Sequence, residues 1–148
     1  MPASQPDTKV MGEVAAAISS GVVRLLRDYT GRGPTRARTY LKGDLISVVL
    51  EDTLTKGERS LVQDGEVALV LTARRAYQST MQKDLVTLVE TLTGREVLAF
   101  LSDNHLEPDI AVESFVLVPL AAHNADGSPP GTSLDGSIEQ PTHARPAG

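Results

Sequence analysis

The side chains best suited to hold a charged ligand crowd into one stretch. Arg24, Arg27, Arg32, Arg36, Arg38 and Lys42 fall between residues 24 and 42, opposed there only by Asp28. At its centre runs a basic turn, Gly31-Arg32-Gly33-Pro34-Thr35-Arg36-Ala37-Arg38. Glycine lets a backbone approach a ligand closely, and the guanidinium group offers a planar pair of donors that matches phosphate or carboxylate. Arg32, Gly33, Arg36 and Arg38 are therefore candidate binding residues for a small anion, a nucleotide phosphate, bicarbonate or an acidic partner surface. The glycines do not make a phosphate loop, because no Gly-Lys-Ser/Thr follows and the turn leads out of a helix. The same residues also suit a plainer role, a helix stop followed by a solvated strand face whose arginines pair with carboxylates elsewhere.

A second set is acidic: Asp103, His105, Asp109 and Glu113, with Glu107 among them. Carboxylates and a histidine can hold a divalent metal or move protons. Their spacing fits no named metal motif, and hairpin loops are rich in the same residue types. Asp103 and His105 could point the same way from an extended segment, a regularity that Pro108 would break. With no nucleophile–base pair and no paired-carboxylate spacing, the expectation is no catalytic residue, no metal, no cofactor and no enzyme. A metal-dependent enzyme using the 103–113 loop is the alternative. Glu51-Asp52 places charge near a helix N-terminus, where the dipole favours it. Arg74 and Arg75 lie beside the apolar stripe of a long helix, and one of them is expected to reach an acidic residue across the sheet. Tyr29, Tyr40 and Tyr77 suit amphipathic core edges better than a nucleotide cage.

The elements that must position these residues follow from hydrophobic period. Val10, Val14, Ile18, Val22, Leu25 and Tyr29 step by three or four, which predicts a helix over 8–29 that Gly31, Gly33 and Pro34 stop. Residues 35–42 alternate, with Arg36, Arg38, Tyr40 and Lys42 on one side. Residues 45–51 are β-branched and almost wholly apolar, like an inner strand, and Gly43 suits the turn between the two. Thr55 with Glu58 three residues on predicts a capping box for a short helix. Val67, Val70, Tyr77, Met81, Leu85, Leu88 and Leu92 predict a long helix over 66–93, ended by Gly94. Residues 95–102 and 110–118 read as strands flanking a polar loop at 103–109.

The order α-β-β-α-α-β-β implies an α+β single domain with a mostly antiparallel four-stranded sheet and the two main helices on one face. Because strand 45–51 is apolar on both sides, one helical layer cannot fully cover it; a homodimer closing the other face is expected, and cover from within the same chain is the alternative. Residues 1–7 read as a loose lead, 8–118 as the domain, and the Pro- and Gly-rich residues 119–148 as a disordered tail.

Bulk properties narrow the function. The 148 residues suit one domain, and aromatic content of 3% requires an aliphatic core and weakens any stacking platform for single-stranded nucleic acid. A net charge of −5 also argues against nucleic acid. There is no cysteine, so disulfides and thiolate sites are excluded. The N-terminus carries no basic segment followed by an apolar run, and no stretch approaches the ~18 apolar residues of a membrane span. These features predict a cytoplasmic chain with no direct membrane insertion, peripheral to a membrane only through a partner.

Several separated stretches resemble the MpsC family of small bacterial proteins. They are Tyr29 to Tyr40 around the Gly31-Arg32-Gly33-Pro34 turn, Val49-Leu50-Glu51-Asp52 followed by Leu54-Thr55, Leu92-Thr93-Gly94-Arg95, and then His105, Pro108-Asp109, Val112-Glu113 and Phe115-Val116-Leu117. The resemblance spans Val10 to Leu117. It implies an accessory or regulatory component of a system that moves cations and generates membrane potential, linked to inorganic-carbon uptake, with a membrane transport protein as partner. It carries over no catalytic or ligand residue.

Overall fold

The computed structural model describes residues 7–120. Residues 1–6 of the expected lead and 121–148 of the expected tail lie outside the described residues. Helix α1 spans Thr8–Thr30, strand β1 Arg36–Lys42, strand β2 Leu45–Glu51, helix α2 Lys56–Gln63, helix α3 Val67–Thr93, strand β3 Val97–His105 and strand β4 Ile110–Leu117. The predicted α+β architecture is the observed one.

The helix ends carry local chemistry that the sequence encodes. Asp7 caps α1 by accepting a hydrogen bond from the Lys9 amide, and Gly31 closes it in the left-handed conformation (φ 78°). Thr55 and Glu58 form the reciprocal capping box that starts α2, which satisfies two otherwise orphaned amides. At 27 residues α3 is about 40 Å long. It packs along α1 closely enough that a Cβ on Gly21 would meet the Leu88 side chain at 2.7 Å.

The four strands run in the order β1-β2-β4-β3, all antiparallel. The two hairpins therefore join through their second strands, and both β2 and β4 are interior. Helix α1 lies over β1 and α3 over β3 on the same face. Between helices and sheet sits one aliphatic core, with Ile18 and Val22 from α1, Met81, Leu85 and Val89 from α3, and the inward residues of β2 and β4. Phe115 is fully buried at its centre, 5.1 Å from the Phe100 ring.

The structure corrects one boundary that matters for function. Asp103, Asn104 and His105 belong to β3, paired with Val112, Ala111 and Ile110, so the hairpin turn is confined to residues 106–109. Polar residue types suggested a loop, but the strand's alternation runs on through them, with Asn104 inward and Asp103 and His105 outward. Along the helical stripes Val10 and Tyr77 remain about half exposed.

Candidate functional site

The connection from β2 to α2 makes the sharpest local demand on the backbone. Asp52 sits there at φ 58°, a left-handed conformation that aspartate tolerates better than most residues. Its neighbours hold it. The Asp52 amide donates to the Asp109 carbonyl, and its own carbonyl accepts from Arg32 at 3.0 Å. Its carboxylate pairs with Arg32 at 2.7 Å and with Arg59 of α2. The Arg32 hydrogen bond, reinforced by the charges of Arg32 and Arg59, holds the Asp52 carboxyl below its ordinary range. Arg32 also donates to the Leu54 carbonyl at 2.6 Å. Across the same junction the Asp109 carboxylate accepts from the Thr53 hydroxyl and the Leu54 amide, both at 2.8 Å.

Deeper in, Arg74 of α3 forms the second polar centre. Its guanidinium grips both oxygens of Glu58 at 2.7 and 3.1 Å and donates to the Thr53 hydroxyl and the Asn104 carboxamide oxygen. Only 13% of the Arg74 side chain and 15% of that of Glu58 remain exposed. Burial alone would raise the Glu58 carboxyl, but the bonds from Arg74, the Thr55 amide and the Thr55 hydroxyl outweigh it and leave it below the usual value. Arg74 does reach an acid, as the sequence suggests, but that acid lies on the neighbouring helix α2.

Glu113 faces the same space from β4. It is fully buried on the inner side of the sheet, and its Oε2 has no hydrogen-bond partner among the described residues; nor does Ser102 Oγ, on the residue paired with it in β3. Burial pushes its carboxyl up to about 7, with the Arg74 charge acting the other way. Such a group is half protonated near neutral pH. It lines a cavity of about 40 Å³, walled also by Arg32, Gln78, Tyr77 and Met81, which is room for a few waters rather than a large ligand.

The candidate residues are thus divided among separate places. Arg32 and Glu113 share the inner cavity. Gly33 packs against Val23 of α1, where a Cβ would approach within 3.2 Å. Arg36 and Arg38 stand on the outer face of β1, where Arg36 meets Glu51 at 3.5 Å. Asp103 and His105 stand on the outer face of β3, and the His105 ring bonds the Pro108 carbonyl. Asp109 is committed to the β2–α2 junction. Among the described residues no group of three or more His, Cys, Asp or Glu is placed to hold a metal ion.

Gln78 and the depth of Glu113 were missed, yet both left a signal. Glu113 is in phase with Ala111, Phe115 and Leu117 in an alternating strand, and Arg74 and Gln78 continue the α3 stripe between Val70 and Met81.

No helix among the described residues is long and apolar enough to cross a membrane. No curated protein and no solved structure matches the chain. A family model described as Na+-translocating membrane potential-generating system (MpsC) matches residues 11–118, nearly all of the described fold. The chain, with its two helices over a four-stranded antiparallel sheet, belongs to the MpsC family.

Proposed function

We propose that the chain is a non-catalytic accessory or regulatory subunit of a Na+-translocating, membrane-potential-generating system, cytoplasmic and homo-oligomeric, held at the membrane by docking on an integral transport protein. Family membership across residues 11–118 is the observation that carries this reading. The interior geometry agrees with it. Arg74 and Glu58 spend hydrogen bonds on each other, and Arg32 and Asp109 spend theirs on Asp52, Thr53 and the backbone of the β2–α2 junction, which is the pattern of groups that hold a shape rather than attack a substrate. The test is membrane co-sedimentation of the full chain with and without a co-expressed transport component. Sedimentation only with the component present is expected; a chain that stays in the supernatant beside the intact component contradicts the reading.

A second reading, a small-ligand sensor, is favoured by the unpartnered Glu113 Oε2 in a cavity shared with Arg32. The cavity of about 40 Å³ is far below the several hundred Å³ of sites for drug-sized ligands. Bicarbonate fits that scale and a nucleotide does not. A thermal-shift series with bicarbonate, phosphate and nucleotides checks it. Stabilisation by bicarbonate that both Arg32→Ala and Glu113→Gln abolish is expected, and no shift with any of them contradicts it.

A further inference from the structure

Among the described residues no helix lies on the outer face of the sheet. The cross-strand register lines its residues up in rows that run from β1 over β2 and β4 to β3. One row is Arg38–Val49–Val112–Asp103, and the next is Tyr40–Ser47–Ser114–Leu101. The first begins on a cation and ends on an anion. Among the described residues neither end makes an ion pair, whereas Arg32, Arg36, Arg59, Arg74 and Arg95 all do. Three strand spacings, about 14 Å, keep Arg38 and Asp103 from meeting each other. The same face leaves Tyr40 53%, Leu45 47% and Leu101 58% exposed, an apolar surface of the kind that marks an interface.

We propose that this face packs on the same face of a second copy of the chain, about a twofold axis that runs along the strands between β2 and β4. Such a rotation reverses strand order without changing level along the strands. It lays β1 over β3 of the second copy and β2 over β4. Arg38 then meets Asp103 of the second copy, Val49 meets Val112 and Tyr40 meets Leu101, each contact occurring twice, as an isologous interface requires. Facing sheets sit about 10 Å apart with strands within about 30° of alignment, an offset that the length of an arginine side chain absorbs. The other in-plane twofold, across the strands, would stack β1 on β1 and set Arg38 against Arg38. Like charges in register reject that arrangement, so the charge pattern selects one axis.

This interface rests on the homo-oligomeric part of the function proposed above, but it is tested on the purified full chain without a membrane partner. Sedimentation equilibrium should show a dimer. Arg38→Asp and Asp103→Arg each create two like-charge contacts across the axis and should each weaken the dimer at least about tenfold. The combined R38D/D103R chain restores both pairs with reversed sign and should return to near wild-type affinity. Arg38 and Asp103 are exposed, so circular dichroism should find all four chains equally folded. A full chain that is monomeric at every concentration, single variants that dimerise like wild type, or a double variant no better than the singles would each overturn the interface. A chain monomeric at every concentration would also remove the homo-oligomeric part of the function proposed above, whereas the variant results bear on this interface alone, and co-sedimentation tests docking on a transport component independently of both.

Discussion

The two faces of the sheet share the same strands and differ in almost every other respect. On the inner face each inward residue of β2 and β4 is buried beneath α1 and α3, and the one inward acid of β4, Glu113, is pushed towards neutrality. On the outer face valines and leucines alternate with serines in half-exposed rows, and Arg38 and Asp103 stand charged with no ion-pair partner among the described residues. A low-dielectric interior tolerates charge only when it is paired and hydrogen-bonded. Arg74 and Glu58 satisfy that demand within the chain. An exposed face makes no such demand, so unpaired charge there is free to specify a partner.

The largest test of this contrast is truncation on either side. Phe115→Ala, at a fully buried position, should cost about 3–5 kcal/mol in denaturant unfolding. Tyr40→Ala on the open face should cost an isolated chain under about 1 kcal/mol at low concentration. Equal losses would mean that the outer face is covered within one chain. Next in size is Arg74→Met. It strands Glu58 and frees Thr53 and Asn104, and should cost roughly 3 kcal/mol; a change below about 1 kcal/mol would show that water already shares the cluster.

A pH series sharpens the same contrast. The folded-state pKa of Glu113 is raised from 4.5 to about 7, so its protonated form stabilises the fold below pH 4.5, and that stabilisation is lost as pH rises to about 7. The loss should be about 2–3 kcal/mol across this window. Asp52 and Glu58 shift the other way. Their contributions are present above their ordinary values and are lost only in more acidic solution, so they do not mask the trend. Glu113→Gln should remove the decline between pH 4.5 and 7, and a variant that keeps it would assign the decline elsewhere. Smallest of all should be Arg36→Ala, which breaks an exposed pair at 3.5 Å and should change stability by no more than about 0.5 kcal/mol.

Local signals in the sequence were enough for most of the fold. The Thr55–Glu58 box and the Gly31 and Gly94 caps act over a few residues, and the structure shows each of them. The Ile18–Val22 stripe is equally local. Strand order was not legible, because the β2–β4 pairing joins residues far apart in the chain, from Leu45 with Val116 to Glu51 with Ile110, and leaves no mark on either hairpin. The candidate site was legible in residue type but not in direction. Asp103, His105, Asp109 and Glu113 look like one acidic group along the chain, yet alternation sends Asp103 and His105 outward and Glu113 inward, while hydrogen bonds commit Asp109 to the turn into α2. Arg32 and Arg38 part in the same way, one to the inner cavity and the other to the open face.

The three tyrosines give the most direct measurement of the open face. In one chain Tyr40 is 53% exposed, Tyr77 48% and Tyr29 41%, and of these Tyr40 alone lies on the outer sheet. Hydroxyl-radical footprinting of the full chain, read peptide by peptide, compares them inside one sample and is indifferent to phenol ionisation. A second copy on the open face predicts that Tyr40, the most exposed in the single chain, reacts slowest at high concentration and recovers its rate on dilution while Tyr29 and Tyr77 stay constant. Tyr40 reacting fastest at every concentration would contradict it.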